Sequence, residues 1–304
     1  MLTTLAGPLS PGPWRKLSNW GRSTLWPLLQ VAHDERVSPT SSSVDRAADS
    51  AAFRMPRTSL VPPQHGAWAF VGLPLVLGAL ATPASWTTAL LVWAAFTCYP
   101  ASYFALSLAR ARRGARFRRP LVVWTLAASL PAAVLVVTRP WLVVVGLGYA
   151  CLFAVNLAFA RRNHERDLVN DAVLILEVVA LLPLTWLLAE QTTAVPAQVW
   201  LWTVLCALVL VGSTLHVKSL LRERRNPAYA RASRAFAVTS LAAVIGLAAL
   251  WGLPVGLALA APFVLLMARA LKRDWGGWRP GRIGLVELAC FVAVAAGAAL
   301  ARTL

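Results

Sequence analysis

The residues able to do chemistry in this chain gather in a few short stretches. Gln64 and His65 form the first. His164, Glu165, Arg166, Asp167, Asn170 and Asp171 form the second. His216, Lys218, Ser219, Arg222, Glu223, Arg224 and Arg225 form the third, and Asp274 stands alone before the last apolar run. Imidazoles and carboxylates move protons, and guanidinium groups bind phosphate through paired hydrogen bonds. On a helix, His164, Asp167 and Asp171 share one face by i+3 and i+4 spacing, and Asn170 and Glu177 share another at i+7. His216, Ser219 and Glu223 define a further face, and Lys218, Arg222 and Arg225 the next.

Two acids stand apart from these polar stretches. Glu177 lies six residues past Asp171, about 9 Å along a helix, and Glu287 lies five past Arg282, about 7–8 Å. Both fall inside apolar runs. A charge at the centre of a membrane costs about 2.5–3.5 kcal/mol, so such acids pair or line a polar cavity. The basic residues nearby are the natural partners, and Asn156, one turn above Arg161, is placed to join them.

The elements that carry these residues follow from composition. The chain has 304 residues, 58% hydrophobic and 13% charged. Soluble domains carry about 25% charged residues, so this chain lacks the polar surface for a soluble fold, and the same figures exclude disorder for its bulk. The expected fold is all-α: a polytopic membrane bundle of about nine transmembrane helices. The spans are Gly66–Thr82, Ser85–Leu108, Leu121–Thr138, Pro140–Ala160, Ala172–Ala189, Pro196–Val217, Ala235–Trp251, Gly252–Ala268 and Ile283–Ala301. Residues 235–268 hold no charge and would run about 51 Å as one helix, too long for a core of about 30 Å. Gly252 and Pro254 supply the break. The pair Gly146 and Gly148 and the Ala-rich last span read as close helix packing.

Charge orients the spans. The net charge is +17, and 27 of the 29 Lys and Arg fall in the N-terminal segment or in the loops after spans two, four, six and eight. Only Arg139 and Arg302 lie on the other side. The positive-inside rule puts the rich side in the cytoplasm, the N-terminus inside and the C-terminus outside, in the plasma (inner) membrane. The basic excess thus has a membrane explanation and a lipid-bilayer partner; no nucleic-acid recognition motif accompanies it, and nucleic acid is not expected as a partner. Residues 1–60 differ in composition and read as a disordered basic extension, with Met55 as an alternative start, before a transmembrane domain at 61–304. The four Cys lie singly in apolar runs, with no CxxC and no zinc spacing, so no metal site is expected and the sequence names no cofactor.

The segments PPQHGAWAF (62–70), RNHERDLVND (162–171), VKSLLRERRNP (217–227) and RPGRIGLVEL (279–288) together resemble the YwiC-like family of bacterial membrane proteins over residues 60–304. The resemblance implies functional positions at His65, Arg166, Asn170, Asp171, Lys218, Arg222, Glu223 and Glu287, and no particular reaction. The nine-span plan is also similar to UbiA-type membrane prenyltransferases, whose Asp-rich motifs after spans two and six hold Mg²⁺ and a diphosphate. This chain departs from that pattern: residues 109–120 contain six Arg and no acid, and the Asn170–Asp171 pair follows span four.

Two functional readings follow. In the first, a UbiA-like membrane enzyme or lipid-binding protein clamps a lipid or isoprenoid phosphate with the basic groups of residues 110–119 and 218–225. Glu177, His65 and Asp171 are its catalytic candidates. His164, Arg166, Asn170, His216, Lys218, Arg222, Glu223, Arg224 and Glu287 are its substrate-binding candidates. In the second, Glu177 and Glu287 are ion or proton sites of a small-solute transporter.

Overall fold

A computed structural model describes residues 59–304, apart from Gln64, Arg112, Arg113, Arg166, 249–251 and 273–277. The expected N-terminal extension and the Met55 start therefore lie outside the described residues. Among the described residues every regular element is helical. In chain order they are α1 (His65–Ala81), α2 (Trp86–Arg110), α3 (Ala115–Thr138), α4 (Leu142–Arg161), α5 (Leu168–Glu190), α6 (Ala197–Arg222), α7 (Pro227–Ala248), α8 (Leu253–Leu271) and α9 (Pro280–Thr303). The last eight are long and apolar enough to cross a membrane, and α1 is a shorter apolar helix.

Local chemistry sets the ends. Ser85 caps α2 by accepting the Thr87 N–H at 3.3 Å. Pro280 opens α9, where a missing N–H costs nothing. Gly252 takes φ +85°, the conformation a side chain resists, and with Pro254 it starts α8 where the sequence placed the break. α5 is two helical pieces meeting at Ala180, three residues before Pro183, which cannot donate to the Val179 carbonyl. α6 ends in a π turn over Lys218–Arg222, closed by the Glu223 N–H on the Lys218 carbonyl at 2.8 Å.

Two apolar cores share α1 and α5. The larger joins them to α6, α7, α8 and α9 through Leu77, Leu182, Val209, Leu210, Val244, Phe263 and Phe291. The smaller joins them to α2 (Leu91), α3 (Leu135) and α4 (Leu142). α3 and α4 are the least buried of the long spans and α8 the most. The large side chains that α3 and α4 turn outward, among them Leu126, Leu130 and Val144, are 60–72% exposed. On a chain of this composition, that surface meets lipid.

Glycines separate tight packing from open space. A Cβ on Gly297 of α9 would sit 2.5 Å from the Ala258 carbonyl oxygen and 2.9 Å from Pro262 Cγ of α8. The last span is thus closely packed, as expected. Gly146 and Gly148 of α4 correct the other half of that expectation, since a Cβ at either meets nothing within 4 Å. Gly297→Leu should destabilise by about 1–3 kcal/mol or more, because backbone must move. Gly146→Ala should be neutral or stabilising, by up to about 1 kcal/mol of helix propensity. Thermal unfolding of the two purified variants checks the contrast.

Candidate functional site

The predicted polar positions come to the end of the bundle where most of the described Lys and Arg lie, in three groups rather than one. The first surrounds a cavity. Between α2, α3, α4 and α5 lies a space of about 620 Å³, within the range of ligand sites. Its wall is mostly apolar. Tyr99 and Ser102 of α2, Thr125 of α3, Tyr149 of α4 and Glu177 of α5 form a polar band in the half nearer the basic end, with Ala105, Leu121, Phe153 and Leu174 beyond it toward that end. Toward the other end it is bounded by apolar side chains such as Leu91, Ala132, Leu135, Leu142, Val145 and Leu184. From Leu121 to Val136 on α3 the lining extends fifteen residues, about 22 Å.

Glu177 is held on that wall from α4. Asn156 Nδ2 donates to its Oε1 at 2.8 Å, and the Tyr149 hydroxyl donates to its main-chain carbonyl at 2.8 Å. Asn156 and Tyr149 are seven residues apart, two helical turns, so one face of α4 supplies both donors. Among the described residues no Lys, Arg or His is ion-paired with Glu177, and its Oε2 has no hydrogen-bond partner. Glu177→Leu would strand the buried Asn156 amide and should cost about 1–3 kcal/mol. Glu177→Gln retains an acceptor and should cost less, which melting temperatures of the two variants will show.

The second group ties the basic loops together. α4 ends through Asn163 in the left-handed conformation (φ 58°), with the His164 N–H on the Phe159 carbonyl at 2.9 Å. α5 starts afresh at Leu168. His164 is therefore not on the helix that carries Asp171, contrary to the shared face expected, although its Nδ1 still lies 3.3 Å from Asp167 Oδ2. Asp171 forms an ion pair with Lys218 of α6, and both are largely buried. Asn170, 4% exposed, donates to the Glu165 carbonyl at 3.0 Å. Glu165 in turn accepts Arg110 Nη1 at 2.5 and 2.6 Å, joining the end of α2 to the α4–α5 connection. The π turn breaks the face expected for Lys218, Arg222 and Arg225: Lys218 is buried, while Arg222, Arg224 and Arg225 are exposed and Glu223 is half-buried. The same turn separates His216 from Glu223.

The third group is buried between α6, α8 and α9. Glu287 of α9 forms an ion pair with Arg269 of α8 and accepts the Ser213 hydroxyl of α6 at 2.5 Å. All three are at least nine-tenths buried, and His216 is 2% exposed. Glu287 thus sits in a packed ion pair and not on the cavity. His65 opens α1, but its side chain and the whole of Arg166 lie outside the described residues. Ser213 could have been found three residues before His216; Arg269 carried no signal beyond its charge.

A helical bundle of this length and hydropathy, with charged groups paired inside it, is a multi-pass membrane protein. The chain belongs to the YwiC-like family. The family profile, described as YwiC-like protein, matches residues 61–186, a segment that contains every residue lining the cavity. The chain is 30% identical over 175 residues to the uncharacterized protein YwiC of Bacillus subtilis (strain 168), covering 57% of this chain and 71% of that one. It is 29% identical over 178 residues to an uncharacterized protein of Haemophilus influenzae, covering 58% and 74%. No solved structure matches it.

Proposed function

We propose that this protein binds an amphipathic membrane lipid carrying a phosphate, such as an isoprenoid phosphate. The tail lies in the α2–α5 cavity and the head at the basic end. The observation that carries this reading is the long, mostly apolar wall with a polar band in the half nearer the basic end. The exposed Arg116, Arg118 and Arg119 at the start of α3 stand at the basic end, beyond the cavity lining. They suit direct phosphate binding, since residues 109–120 contain no acid to hold a cation instead. In this reading the basic end faces the cytoplasm of the plasma (inner) membrane.

Glu177 is the group best placed to accept or give a proton to a bound lipid. His65 and Asp171 are its alternatives from the sequence. A UbiA-like architecture remains part of this proposal, with its Mg²⁺-binding motifs replaced by arginine. Transport by Glu177 and Glu287 draws less support, because Glu287 is already paired with Arg269 and Ser213. The test is native mass spectrometry of protein extracted from its own membrane. A retained single-chain lipid phosphate supports the reading. Protein that carries no lipid, yet moves protons or a solute in proteoliposomes only with Glu177 intact, overturns it.

A further inference from the structure

The cavity has walls on α2 and α5, but its outer side is the seam between α3 and α4. These two helices are consecutive, yet α3 lies along α2 while α4 packs on α2 and α5, and the pair barely touch each other. Their one tight connection is the turn at Arg139–Leu142, where the Leu142 N–H meets the Arg139 carbonyl at 3.0 Å. Among the described residues, no side-chain hydrogen bond or ion pair joins them. The hydroxyls of Ser129 and Thr138 bond only to carbonyls of their own helix. Small residues line the cavity on both helices, Ala128 and Ala132 on α3 and Gly146 and Ala150 on α4, among larger ones such as Leu135, Val136, Val145 and Phe153. The space beside Gly146 is open.

We propose that the seam between α3 and α4 is the route by which a membrane lipid reaches the cavity, tail first and sideways from the bilayer core. This rests on the lipid-binding reading above and names where the ligand passes. The occupant follows from the surroundings. Outward of the seam both helices present large apolar side chains. Inward of it the apolar stretch of the wall continues to the same depth. A hydrocarbon chain therefore moves between two apolar environments without exposing polar backbone, since each helix satisfies its own. A water-soluble solute has no such path.

The route is tested by closing it. In the full chain with its four native Cys replaced by Ala, Ala132→Cys and Gly146→Cys are linked by a reducible bis-thiosulfonate. The protein is then placed in phosphatidylethanolamine–phosphatidylglycerol vesicles that contain a photoactivatable isoprenoid phosphate. The linked protein should take up the probe about tenfold more slowly or worse, the scale on which a gated step limits association, and reduction should restore the rate. Equal uptake with and without the link overturns the route while leaving the lipid reading intact. No uptake by either form overturns both. Gly146→Trp in the otherwise native chain gives a second check, because the open space at Gly146 admits the ring without repacking the core. It should slow uptake in the same direction, and unchanged uptake counts against the route.

Discussion

Arg269→Met should destabilise the protein by about 3–5 kcal/mol, the cost of leaving a buried charge without its partner. The setting is severe. Arg269 is 7% exposed and Glu287 6%, and among the described residues the Ser213 hydroxyl at 2.5 Å is the other group bonded to Glu287. A serine hydroxyl cannot replace a guanidinium. Removing both charges is a different experiment. Exchanging a buried ion pair for apolar residues of similar volume is often neutral or stabilising. Arg269→Met with Glu287→Leu should therefore recover about half of the loss, because Ser213 then lacks its acceptor and keeps a penalty of about 1–3 kcal/mol. Unfolding of the single and double variants in one detergent, followed by near-UV circular dichroism, completes the cycle. If the double variant is as unstable as the sum of the singles, the two residues are not coupled.

This pair also marks where sequence reading stops. The expectation of an intramembrane acid with a basic partner was correct for Glu287. The identity of the partner required the packing of α8 on α9 and of α6 on both. Ser213 and Glu287 are 74 residues apart, and no local periodicity links them. Eight of the nine expected spans were legible, because hydropathy over about twenty residues depends on no neighbour, while the first is a shorter apolar helix. The break at Gly252 was legible for the same reason. The faces were less so. Asn163 reverses the chain before His164 can join α5, and the π turn at Lys218–Arg222 rotates Lys218 into the bundle and Arg222 out of it.

The cavity was hidden by an ambiguity in small residues. Gly and Ala in a membrane helix let another helix approach closely, and at Gly297 they do. At Gly146, Ala128 and Ala132 the same residue types bound an open space. Composition cannot separate the two, because the difference lies in whether the facing helix is present. The acids were more informative. Both lay at depths where solvation does not place them, and one proved to be structural and the other to face the cavity.

A single substitution on α3 should decide what that space does. Ala132 lines the cavity; Val134, two residues on, is 39% exposed and is not part of the lining. Two residues along a helix turn the side chain by more than half a revolution, so a bulky group at one faces inward and at the other faces away. Trp in place of Ala132 fills part of the space beside it without forcing the core, because the volume is already empty. Little change in melting temperature is expected, in contrast to Gly297→Leu. Retained lipid, measured by native mass spectrometry on protein from its own membrane, should fall by about tenfold or more, since a loss of about 1.4 kcal/mol in binding already gives tenfold. Val134→Trp adds the same surface toward the bilayer and should retain lipid at the wild-type level. If both variants lose lipid equally, the molecules seen are annular and the cavity is not their site. If neither loses any, the lipid is held elsewhere on the bundle. Only the unequal result, with Ala132→Trp depleted and Val134→Trp unchanged, ties retention to the wall that carries Glu177.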